Sequence, residues 1–321
     1  MSLYTITGGA GFIGSHLTEA LLAKGHQVRV LDDLSTGSRG NLPSGCEMIK
    51  GCITDRAAVM LAMQGADGCF HLAAIASVAR ANEEWIATHR INQTGAVTIF
   101  DVARELGGIP VVYASSAAVY GDVGARPAQE SFPPVPNTAY GADKLGCELH
   151  GRVAHLVHGV PNLGLRFFNV YGPRQDPLSP YSGVISIFAR MVADGGPLSI
   201  HGDGGQTRDF IYVGDVVSHL VQGMSHISRV RDCQVLNVCT GTAISVLDLA
   251  RVMMEAGHLS ASLIRHTPGR PGDIRNSVGN PARAQAMLGL RAEISLQDGL
   301  RQTTRAMQTT LQNPASRTVL V

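Results

Sequence analysis

The chain lacks any marked excess of charge. Among its 321 residues, 26 are lysine or arginine and 25 are aspartate or glutamate, so the formal net charge is only +1. Such a balance creates no global field that would attract nucleic acid or an anionic membrane surface. We therefore expect no nucleic-acid partner and no membrane partner, and any site for an anionic ligand must be local.

Paired cysteines, long apolar runs and common metal or hydrolase motifs are also missing. No stretch of about 18 apolar residues predicts a membrane span, and Met1–Tyr4 has none of the basic residues that open a signal peptide. No H-E-x-x-H, Walker or G-x-S-x-G motif occurs, so we expect no metal site. Dispersed cysteines without a C-x-x-C pair predict reduced thiols in the cytoplasm rather than a disulfide or zinc framework. The six are Cys46, Cys52, Cys69, Cys147, Cys233 and Cys239.

What the chain does contain is an alternation of strand-like and helical segments in its first half. Hydrophobic residues make up 45% of the composition, which is enough for a sizeable core. Strands that alternate with helices predict right-handed βαβ units and a parallel sheet covered on both faces. The predicted strands are Leu3–Thr7, Gln27–Leu31, Glu47–Lys50, Gly68–Leu72, Ile109–Ser115 and Pro161–Phe167. The predicted helices are Phe12–Lys24, Asp55–Met63, Glu84–Leu106 and Tyr140–His158.

The second half of the chain is less regular and predicts a smaller α/β cap. Proline, glycine and serine are frequent in residues 170–182, as is typical of a loop or a domain border. We predict a Rossmann domain over residues 1–168, a mainly substrate-binding domain over 169–312 and a tail over 313–321, with later segments returning to the first domain. The predicted elements of the second half are helices Val184–Asp194, Val246–Glu255, Pro281–Leu288 and Leu296–Leu311, strands Pro197–His201 and Val235–Val238, and a polar turn at Gly202–Arg208.

A glycine-rich loop follows the first predicted strand. Gly9, Gly11 and Gly14 fit the pattern G-x-G-x-x-G, and Gly8, Gly11 and Gly14 fit the pattern G-x-x-G-x-x-G. Glycine lets the backbone turn tightly and approach a pyrophosphate, which the next helix binds through its free N–H groups. Asp32 ends the second strand, where a carboxylate accepts hydrogen bonds from a ribose diol and repels a 2′-phosphate. The spacing therefore predicts a dinucleotide site that prefers NAD to NADP.

A second constellation predicts proton transfer. Ser116 follows the Ile109–Ser115 strand, at the carboxyl edge where parallel sheets bind ligands. Tyr140 and Lys144 are four residues apart and share one face of a helix. A free phenol has a pKa of about 10, but an adjacent ammonium and the positive nicotinamide ring stabilise a phenolate. Tyr140 can thus act as a base at neutral pH, while Ser116 forms a hydrogen bond with the reacting hydroxyl group and relays its proton.

Together these motifs resemble the extended short-chain dehydrogenase/reductase superfamily, in particular its NAD-dependent nucleotide-sugar epimerases and dehydratases. The resemblance covers nearly the whole chain in order and implies tightly bound NAD⁺, a Rossmann fold and a UDP-sugar substrate. The matching stretches are TGGAGFIGSHL (7–17), LDDLSTG (31–37), HLAA (71–74), SSAAVYGD (115–122), YGADK (140–144), LRFFNVYGPRQDP (165–177), GDGGQTRDFIYVGDV (202–216) and RPGDIR (270–275).

The resemblance also assigns expected roles to single residues. Ser116, Tyr140 and Lys144 match the catalytic triad. The implied cofactor-binding residues are Gly8, Gly11, Phe12, Ile13, Gly14, Asp32, Leu72, Ala73, Ala74, Asn92, Tyr140 and Lys144. The implied substrate-binding residues are Ser116, Asn169, Val184, Arg208, Arg270 and Asp273.

Two departures from the family bear on the reaction. Ala117 and Ala118 stand where 4,6-dehydratases carry an Asp-Glu pair, and small residues there are familiar in 4-epimerases. Cys52 stands where relatives have an acidic residue that contacts adenine, and a thiol cannot accept hydrogen bonds as a carboxylate does. We therefore expect a 4-epimerase of a UDP-hexose or UDP-N-acetylhexosamine, acting through a 4-keto sugar.

Other activities stay open at this point. The chain also resembles the UDP-N-acetylglucosamine 5,6-dehydratases of tunicamycin-type biosynthesis, in which water would leave across C5–C6 after oxidation at C4. Cys147 and Glu148 are candidates for the additional base and acid of that reaction. A non-catalytic NAD-binding scaffold and a simple reductase using free NAD(P)H are further alternatives. The helices at 84–106 and 140–158 predict a four-helix seam between two subunits, as in relatives.

Overall fold

The centre of the molecule is a seven-stranded parallel sheet, seen in a computed structural model that describes residues 1–176, 183–269 and 274–312. Its strands are β1 (Leu3–Thr7), β2 (Gln27–Asp32), β3 (Glu47–Lys50), β4 (Gly68–His71), β5 (Val111–Ser116), β6 (Asn162–Phe167) and β11 (Cys233–Val238). They lie in the order β11-β6-β5-β4-β1-β2-β3. Chain order reverses between β1 and β4, where doubly wound sheets open a ligand crevice at their carboxyl ends. The predicted Rossmann architecture is confirmed.

Helices cover both faces of this sheet. Alternate strand residues pack on opposite sides, so Val30 belongs to the apolar core on one face of the sheet, whereas Leu31 belongs to the core on the other face. Strands buried on both faces explain why the sequence reads as short, nearly continuous apolar runs. The covering helices are α1 (Phe12–Ala23), α2 (Arg56–Met63), α5 (Gly95–Glu105), α6 (Ala139–His158), α8 (Val213–Val230) and α10 (Ala282–Leu288).

Helix α8 was not predicted from the sequence. The stretch between Arg208 and Val235 had no predicted element, but it contains this 18-residue helix, which packs on the main sheet. Its N-terminus has no side-chain cap, so the usual start signal is missing. The helical spacing of its buried residues was the available signal. These include Val213, Val216, Val217, Leu220, Met224 and Ile227.

The helix predicted over Glu84–Leu106 is divided in the structure. Two short helices, α3 (Val78–Glu83) and α4 (Trp85–His89), lead into a π-helical turn at Arg90–Thr94 and then into α5. Single π turns inside helices occur often at functional sites. Here the turn lies beside the crevice between β1 and β4.

The remaining elements form the predicted smaller cap, which has a separate apolar core. Residues 177–182 of the predicted loop and the tail from 313 lie outside the described residues. The chain passes more than once between the two parts, because α8, β11 and α10 return to the main sheet and its cover. The border at 168/169 stays a prediction. The additional strands are β7 (Asn169–Tyr171), β8 (Leu198–His201), β9 (Thr207–Arg208), β10 (Phe210–Tyr212), β12 (Ile244–Ser245), β13 (Ile264–Thr267) and β14 (Asn276–Ser277). The additional helices are α7 (Val184–Ala193), α9 (Val246–Ala256) and α11 (Leu296–Gln312).

Candidate functional site

The glycine loop between β1 and α1 makes close backbone contacts that exclude side chains. A Cβ atom added to Gly14 would lie 2.2 Å from the carbonyl oxygen of Gly8, and one added to Gly8 would lie 2.7 Å from the backbone nitrogen of Ala73. Gly8 also has a φ of 71°. Gly11 precedes α1 without a side-chain cap, so the first N–H groups of the helix remain available to a bound anion.

Asp32 lies at the carboxyl end of β2, beside this loop. Its two carboxylate oxygens accept hydrogen bonds from the backbone N–H groups of Ala10, at 2.9 Å, and Leu34, at 2.8 Å. Burial raises the pKa of the Asp32 carboxyl, and these two hydrogen bonds act in the opposite direction. The carboxylate is therefore held in one orientation at the edge of the crevice.

The crevice is a cavity of about 880 Å³ that extends from the glycine loop past Asp32. This volume falls in the range of ligand pockets, and the loop offers backbone N–H groups where a pyrophosphate needs them. The described residues thus fit a dinucleotide such as NAD. The predicted cofactor residues that line the cavity are Gly8, Gly11, Phe12, Ile13, Gly14, Asp32, Leu72, Ala73 and Ala74. Tyr140 and Lys144, which were also predicted to bind the cofactor, are not among the residues that line it.

Asn92 is not among the residues that line this cavity. Its side chain is 2% exposed and pairs with the backbone of Ile75, accepting from the N–H at 2.8 Å and donating to the carbonyl at 3.2 Å. Ile75 does line the cavity. Asn92 therefore supports the cavity wall through Ile75, whereas the sequence analysis expected it to contact the cofactor directly.

Several cavity residues were missed by the sequence analysis. The segment after β4 contributes two cationic residues and one apolar residue to the cavity lining, namely Arg80, Arg90 and Ile86. No motif marks them, because they reach the cavity only through the path of α3 and α4. Cys52 also lines the cavity, with its Sγ 3.1 Å from the hydroxyl of Thr54.

The predicted catalytic residues lie on two elements that pack closely together. Lys144 is 4% exposed, and its Nζ donates to the carbonyl oxygen of Ala114 at 2.9 Å. Ala114 lies on β5 and lines the cavity, so the ammonium group is held directly behind the cavity wall. The same Nζ lies 5.8 Å from the centre of the Tyr140 ring.

Ser116 is the last residue of β5 and caps the short turn that follows. Its Oγ accepts from the backbone N–H of Ala118 at 3.1 Å. Helix α6 approaches this turn closely, because a Cβ atom on Gly141 would lie 2.5 Å from the Ala118 carbonyl oxygen. Gly141 thereby lets the first turn of α6, which carries Tyr140, pack against the turn after Ser116.

His71 is a packed residue beneath the site. It is 4% exposed, and its Nδ1 lies 2.8 Å from the hydroxyl of Thr7, which also accepts from the N–H of Ala73 at 3.3 Å. Burial, and to a smaller extent the charge of Lys144, lowers the pKa of His71 to about 3. The ring is therefore neutral at physiological pH and helps to hold the cavity wall at Ala73.

Cys147 and Glu148 do not line the cavity. Cys147 is 2% exposed, and burial raises the pKa of its thiol, so it is a poor base. Glu148 is buried in a two-pronged ion pair with Arg166. Neither residue can serve as the additional base or acid that the sequence analysis considered, because both are enclosed in the core.

The expected substrate residues lie partly in the described chain. Asn169 begins β7 and donates from its backbone N–H to the Asp209 carbonyl at 3.0 Å, and Val184 begins α7. Arg208 is half-buried on β9, where its Nη1 donates to the Thr207 carbonyl at 2.9 Å. Arg270 and Asp273 lie outside the described residues.

Asp209 holds this side of the site together. Its carboxylate is fully buried and accepts from the backbone N–H groups of Thr240, Gly241 and Gly279, at 2.8, 2.8 and 3.3 Å. The hydroxyl of Thr240 adds a further bond at 2.7 Å. Asp209 therefore joins the start of β10 to the loop after β11 and to the segment before α10, next to Arg208.

Comparison with known proteins identifies similar chains along the whole length. A model of the NAD dependent epimerase/dehydratase family matches residues 4–239. A UDP-glucose 4-epimerase of Mycolicibacterium smegmatis is 35% identical over 305 residues, which cover 93% of this chain and 96% of that protein.

Solved structures of this kind share the fold. A UDP-glucose 4-epimerase from Thermotoga maritima, solved with UDP-glucose, has a TM-score of 0.91 at 31% identity and covers 97% of this chain and 100% of its own. A dTDP-glucose 4,6-dehydratase from Streptomyces venezuelae, solved with NAD, has a TM-score of 0.88 at 28% identity and covers 96% and 97%. Similarity therefore extends to both epimerases and dehydratases.

Proposed function

The chain belongs to the NAD-dependent epimerase/dehydratase family, and from this premise we propose that it is a UDP-sugar 4-epimerase that acts through a transient ketone at C4. As a member of this family it is an NAD-dependent enzyme of the isomerase or lyase type. The proposed substrate is a UDP-hexose or a UDP-N-acetylhexosamine. UDP-glucose 4-epimerases among its relatives support the choice of reaction.

One contact carries the proposal most directly. The bond from Lys144 Nζ to the carbonyl of Ala114 joins the helix that bears Tyr140 to a residue of the cofactor cavity wall. This bond supports the proposal because it fixes the Lys144 ammonium group, which lies 5.8 Å from the centre of the Tyr140 ring, behind the wall of the cavity that fits the dinucleotide. General base catalysis requires a basic group close to the hydroxyl proton that it removes.

We assign the steps of the reaction to residues of this chain as follows. Tyr140, as phenolate, takes the proton of the sugar 4-hydroxyl, directly or through Ser116. NAD, when bound, would supply the acceptor and the donor of the C4 hydride. Lys144 stabilises the negative charge on the phenolate by its own positive charge. After the sugar ring has turned, Tyr140 returns its proton to the C4 oxygen, so protons and electrons balance without any external oxidant.

The absence of further acids and bases at expected positions supports epimerisation over dehydration. Ala117 and Ala118 carry no proton-transfer group beside Ser116. Cys147 and Glu148 are enclosed in the core. Expulsion of a C6 hydroxyl needs an acid near O6 and a base near C5, and neither is supplied by these four residues.

We propose that the substrate diphosphate binds at arginines of the cap. Arg208, and Arg270 outside the described residues, would bind phosphate oxygens, since guanidinium groups suit such oxygens in a two-pronged geometry. Asn169 and Val184 would contact the sugar nucleotide, and Asp273 would bind the nucleoside ribose. The buried bonds of Asp209 next to Arg208 support a rigid anchor for this end of the substrate.

We also propose a homodimer in the cytoplasm. Six free cysteines are compatible with a reducing compartment. In the part of the chain that the structure describes, no helix combines the length and the apolar character needed to cross a bilayer. Exposed apolar side chains on α6 support the dimer.

The test is incubation of the purified protein with UDP-glucose and, separately, with UDP-N-acetylglucosamine, followed by NMR spectroscopy. We expect a C4-inverted sugar nucleotide of unchanged mass. An exocyclic methylene signal with loss of water would contradict the epimerase and establish the 5,6-dehydratase. Retention of NAD with neither product would favour a non-catalytic scaffold.

A further inference from the structure

A buried ion pair follows Tyr140 and Lys144 along the same face of α6. Arg166 on β6 donates from Nε and Nη2 to the two carboxylate oxygens of Glu148, at 2.8 and 2.7 Å. The two side chains are only 5% and 6% exposed. Glu148 lies one helical turn beyond Lys144 and two turns beyond Tyr140.

The same carboxylate reaches the strand that ends in Ser116. Ser115 Oγ donates to Glu148 Oε1 at 2.5 Å, and Ser115 is also the neighbour of Arg166 in the register of β5 with β6. Three hydrogen bonds thus join α6 to both strands. The next residue, Ser116, is the one proposed to form a hydrogen bond with the reacting hydroxyl group of the sugar.

The pair also supports the segment between Ser116 and Tyr140. The Arg166 guanidinium carbon lies 4.6 Å from the centre of the Tyr120 ring, and the Tyr120 hydroxyl donates to Asn237 Oδ1 at 2.7 Å. The backbone N–H of Asn237 donates to Glu130 Oε1 at 2.8 Å. One connected network therefore holds the strand, the helix and the segment that bear the reacting groups.

Stability alone is a weak explanation for this network. Burying an ion pair has a desolvation cost that its attraction often fails to exceed, and apolar side chains of similar volume are frequently as stable. Among the described residues, Arg166 Nη1 also finds no hydrogen-bond partner although it is buried, which adds to the cost. A role in positioning neighbouring groups therefore explains this ion pair better than a contribution to stability does.

We propose that Glu148 and Arg166 are positioning residues, which hold Tyr140 and Lys144 in register with Ser116 and keep the buried charge behind them balanced. This inference rests on the proposed function of Tyr140 as the base. The intact pair is neutral and exerts little net field on the phenol. Loss of the carboxylate alone would leave the buried Arg166 guanidinium uncompensated next to position 148, which lies about 12 Å along the helix axis from Tyr140.

Several other titratable groups lie near the pair or its neighbours. Burial raises the pKa values of Tyr113 and Tyr120, so both phenols stay neutral at physiological pH. These groups lie on α6, on strands β5 and β11 and in the segment before α6. They are Asp143, Lys144, Cys147, Tyr113, Cys233, Tyr120 and Glu130.

The decisive variant is Glu148→Gln, which keeps the shape of the side chain and removes its charge. We expect kcat to fall about tenfold or more, with NAD content unchanged. We also expect the acidic limb of the kcat pH profile to move down by about one pH unit, because the uncompensated guanidinium favours the phenolate. In the double variant Glu148→Gln/Arg166→Met the limb should return to its original pH while kcat stays low.

Two further variants separate charge from geometry. Arg166→Lys keeps the charge but loses the two-pronged bond, so kcat should fall without a shift of the limb. Ser115→Ala removes one hydrogen bond and no charge, and it should lower kcat severalfold at an unchanged limb even if Glu148→Gln fails to fold. Asp101→Asn, which removes a carboxylate from surface ion pairs on α5, is the matched control and should change neither value.

A readout that needs no turnover distinguishes this inference from the proposed function. The ultraviolet tyrosinate band of the NAD-loaded protein, minus that of its Tyr140→Phe variant, titrates one phenol. We expect the titration to move to lower pH in Glu148→Gln. If the parent protein fails to epimerise any UDP-sugar but the titration moves, only the proposed function is wrong. If both titration and pH profile stay unchanged in Glu148→Gln, the pair is merely structural and our inference is wrong.

Discussion

The proposed chemistry depends on a single phenol, that of Tyr140. Replacement by Phe removes the proton acceptor and leaves the ring in place beside Lys144. General acid–base groups contribute about 10²- to 10⁴-fold, so we expect Tyr140→Phe to lose at least about 100-fold in kcat. NAD content, measured by the absorbance of cofactor released on denaturation, should not change.

The matched control is Tyr4→Phe, at the amino end of β1 and away from the cavity. Tyr4 packs edge-on against Phe70 at 5.5 Å, a contact that phenylalanine preserves. This variant should retain full activity. Substantial activity in Tyr140→Phe would mean that another group is the base.

His71 makes stability depend on pH. In the unfolded chain its ring takes up a proton below about pH 6.5, but in the folded protein burial lowers the pKa to about 3. Between these values the unfolded state binds more protons, so the free energy of unfolding falls as pH decreases, by up to about 1.4 kcal/mol per pH unit from this group. The contribution is complete above about pH 6.5 and decreases towards pH 3.

Urea unfolding at about pH 7 and about pH 5 measures this effect. We expect His71→Gln to have a smaller difference in unfolding free energy between the two pH values than the parent. The exposed His158 serves as control, because its replacement by Gln should leave the difference unchanged. An equal difference in His71→Gln would show that other groups dominate.

At the scale of single elements, the short helix α4 forms part of the cofactor cavity wall. Ile86 lines the cavity, and its neighbour Trp85 is 64% exposed and is the one tryptophan of the sequence. A dinucleotide beside this segment changes the surroundings of the indole. We therefore expect tryptophan emission to differ between NAD-loaded and NAD-free protein.

Gly14→Ala provides the control for this fluorescence measurement. Its new Cβ would lie 2.2 Å from the Gly8 carbonyl oxygen, so the loop must distort and NAD binding should be lost. Adding NAD to this variant should leave the emission unchanged. The same change in Gly14→Ala as in the parent would mean that NAD acts on Trp85 from elsewhere.

Helix α6 shows how one element combines several roles. Residues Tyr140, Lys144 and Glu148 recur every four positions on α6, and the last two form hydrogen bonds with residues of β5 and β6. Sequence spacing predicted the first two members correctly as a pair on one face. It could not show that the third is enclosed by Arg166, because that partner is 18 residues away on a separate strand.

At the scale of the whole molecule, the exposed face of α6 predicts that two copies of the chain form a dimer. Leu149, Val153, Leu156 and Val157 follow helical spacing and are 49% to 68% exposed. An apolar stripe of this kind on a monomer surface marks an interaction site, and a two-fold contact between equivalent helices would bury it. We expect sedimentation velocity to detect a dimer.

Leu156→Glu tests this interface, because it places a charge at the centre of the stripe. We expect this variant to sediment as a monomer, whereas Val230→Glu, a control on the exposed side of α8, should remain dimeric. A parent protein that sediments only as a monomer would contradict the dimer.

The sequence by itself determined the central sheet and the cofactor loop. Strand and helix periods and the glycine spacing are local patterns, and β1, β3 and the start of α1 appear at the predicted residues. Gly14 and Asp32 were also recognisable from the sequence. The close backbone approach at Gly14 and the strand end at Asp32 both depend on only a few neighbouring residues. The cavity-lining glycines of the loop were found in this way, whereas Leu72, Ala73 and Ala74 were predicted from the resemblance to the family.

Only the tertiary structure decided what lies between distant segments. Helix α8 lacks a capping signal and is stabilised by packing on the sheet. Arg80 and Arg90 reach the cavity by the path of the chain after β4, and Asn92 acts through Ile75 across 17 residues. The burial of Glu148 depends on Arg166, a partner from another strand. Such contacts depend on how elements pack in three dimensions, which local residue patterns do not encode.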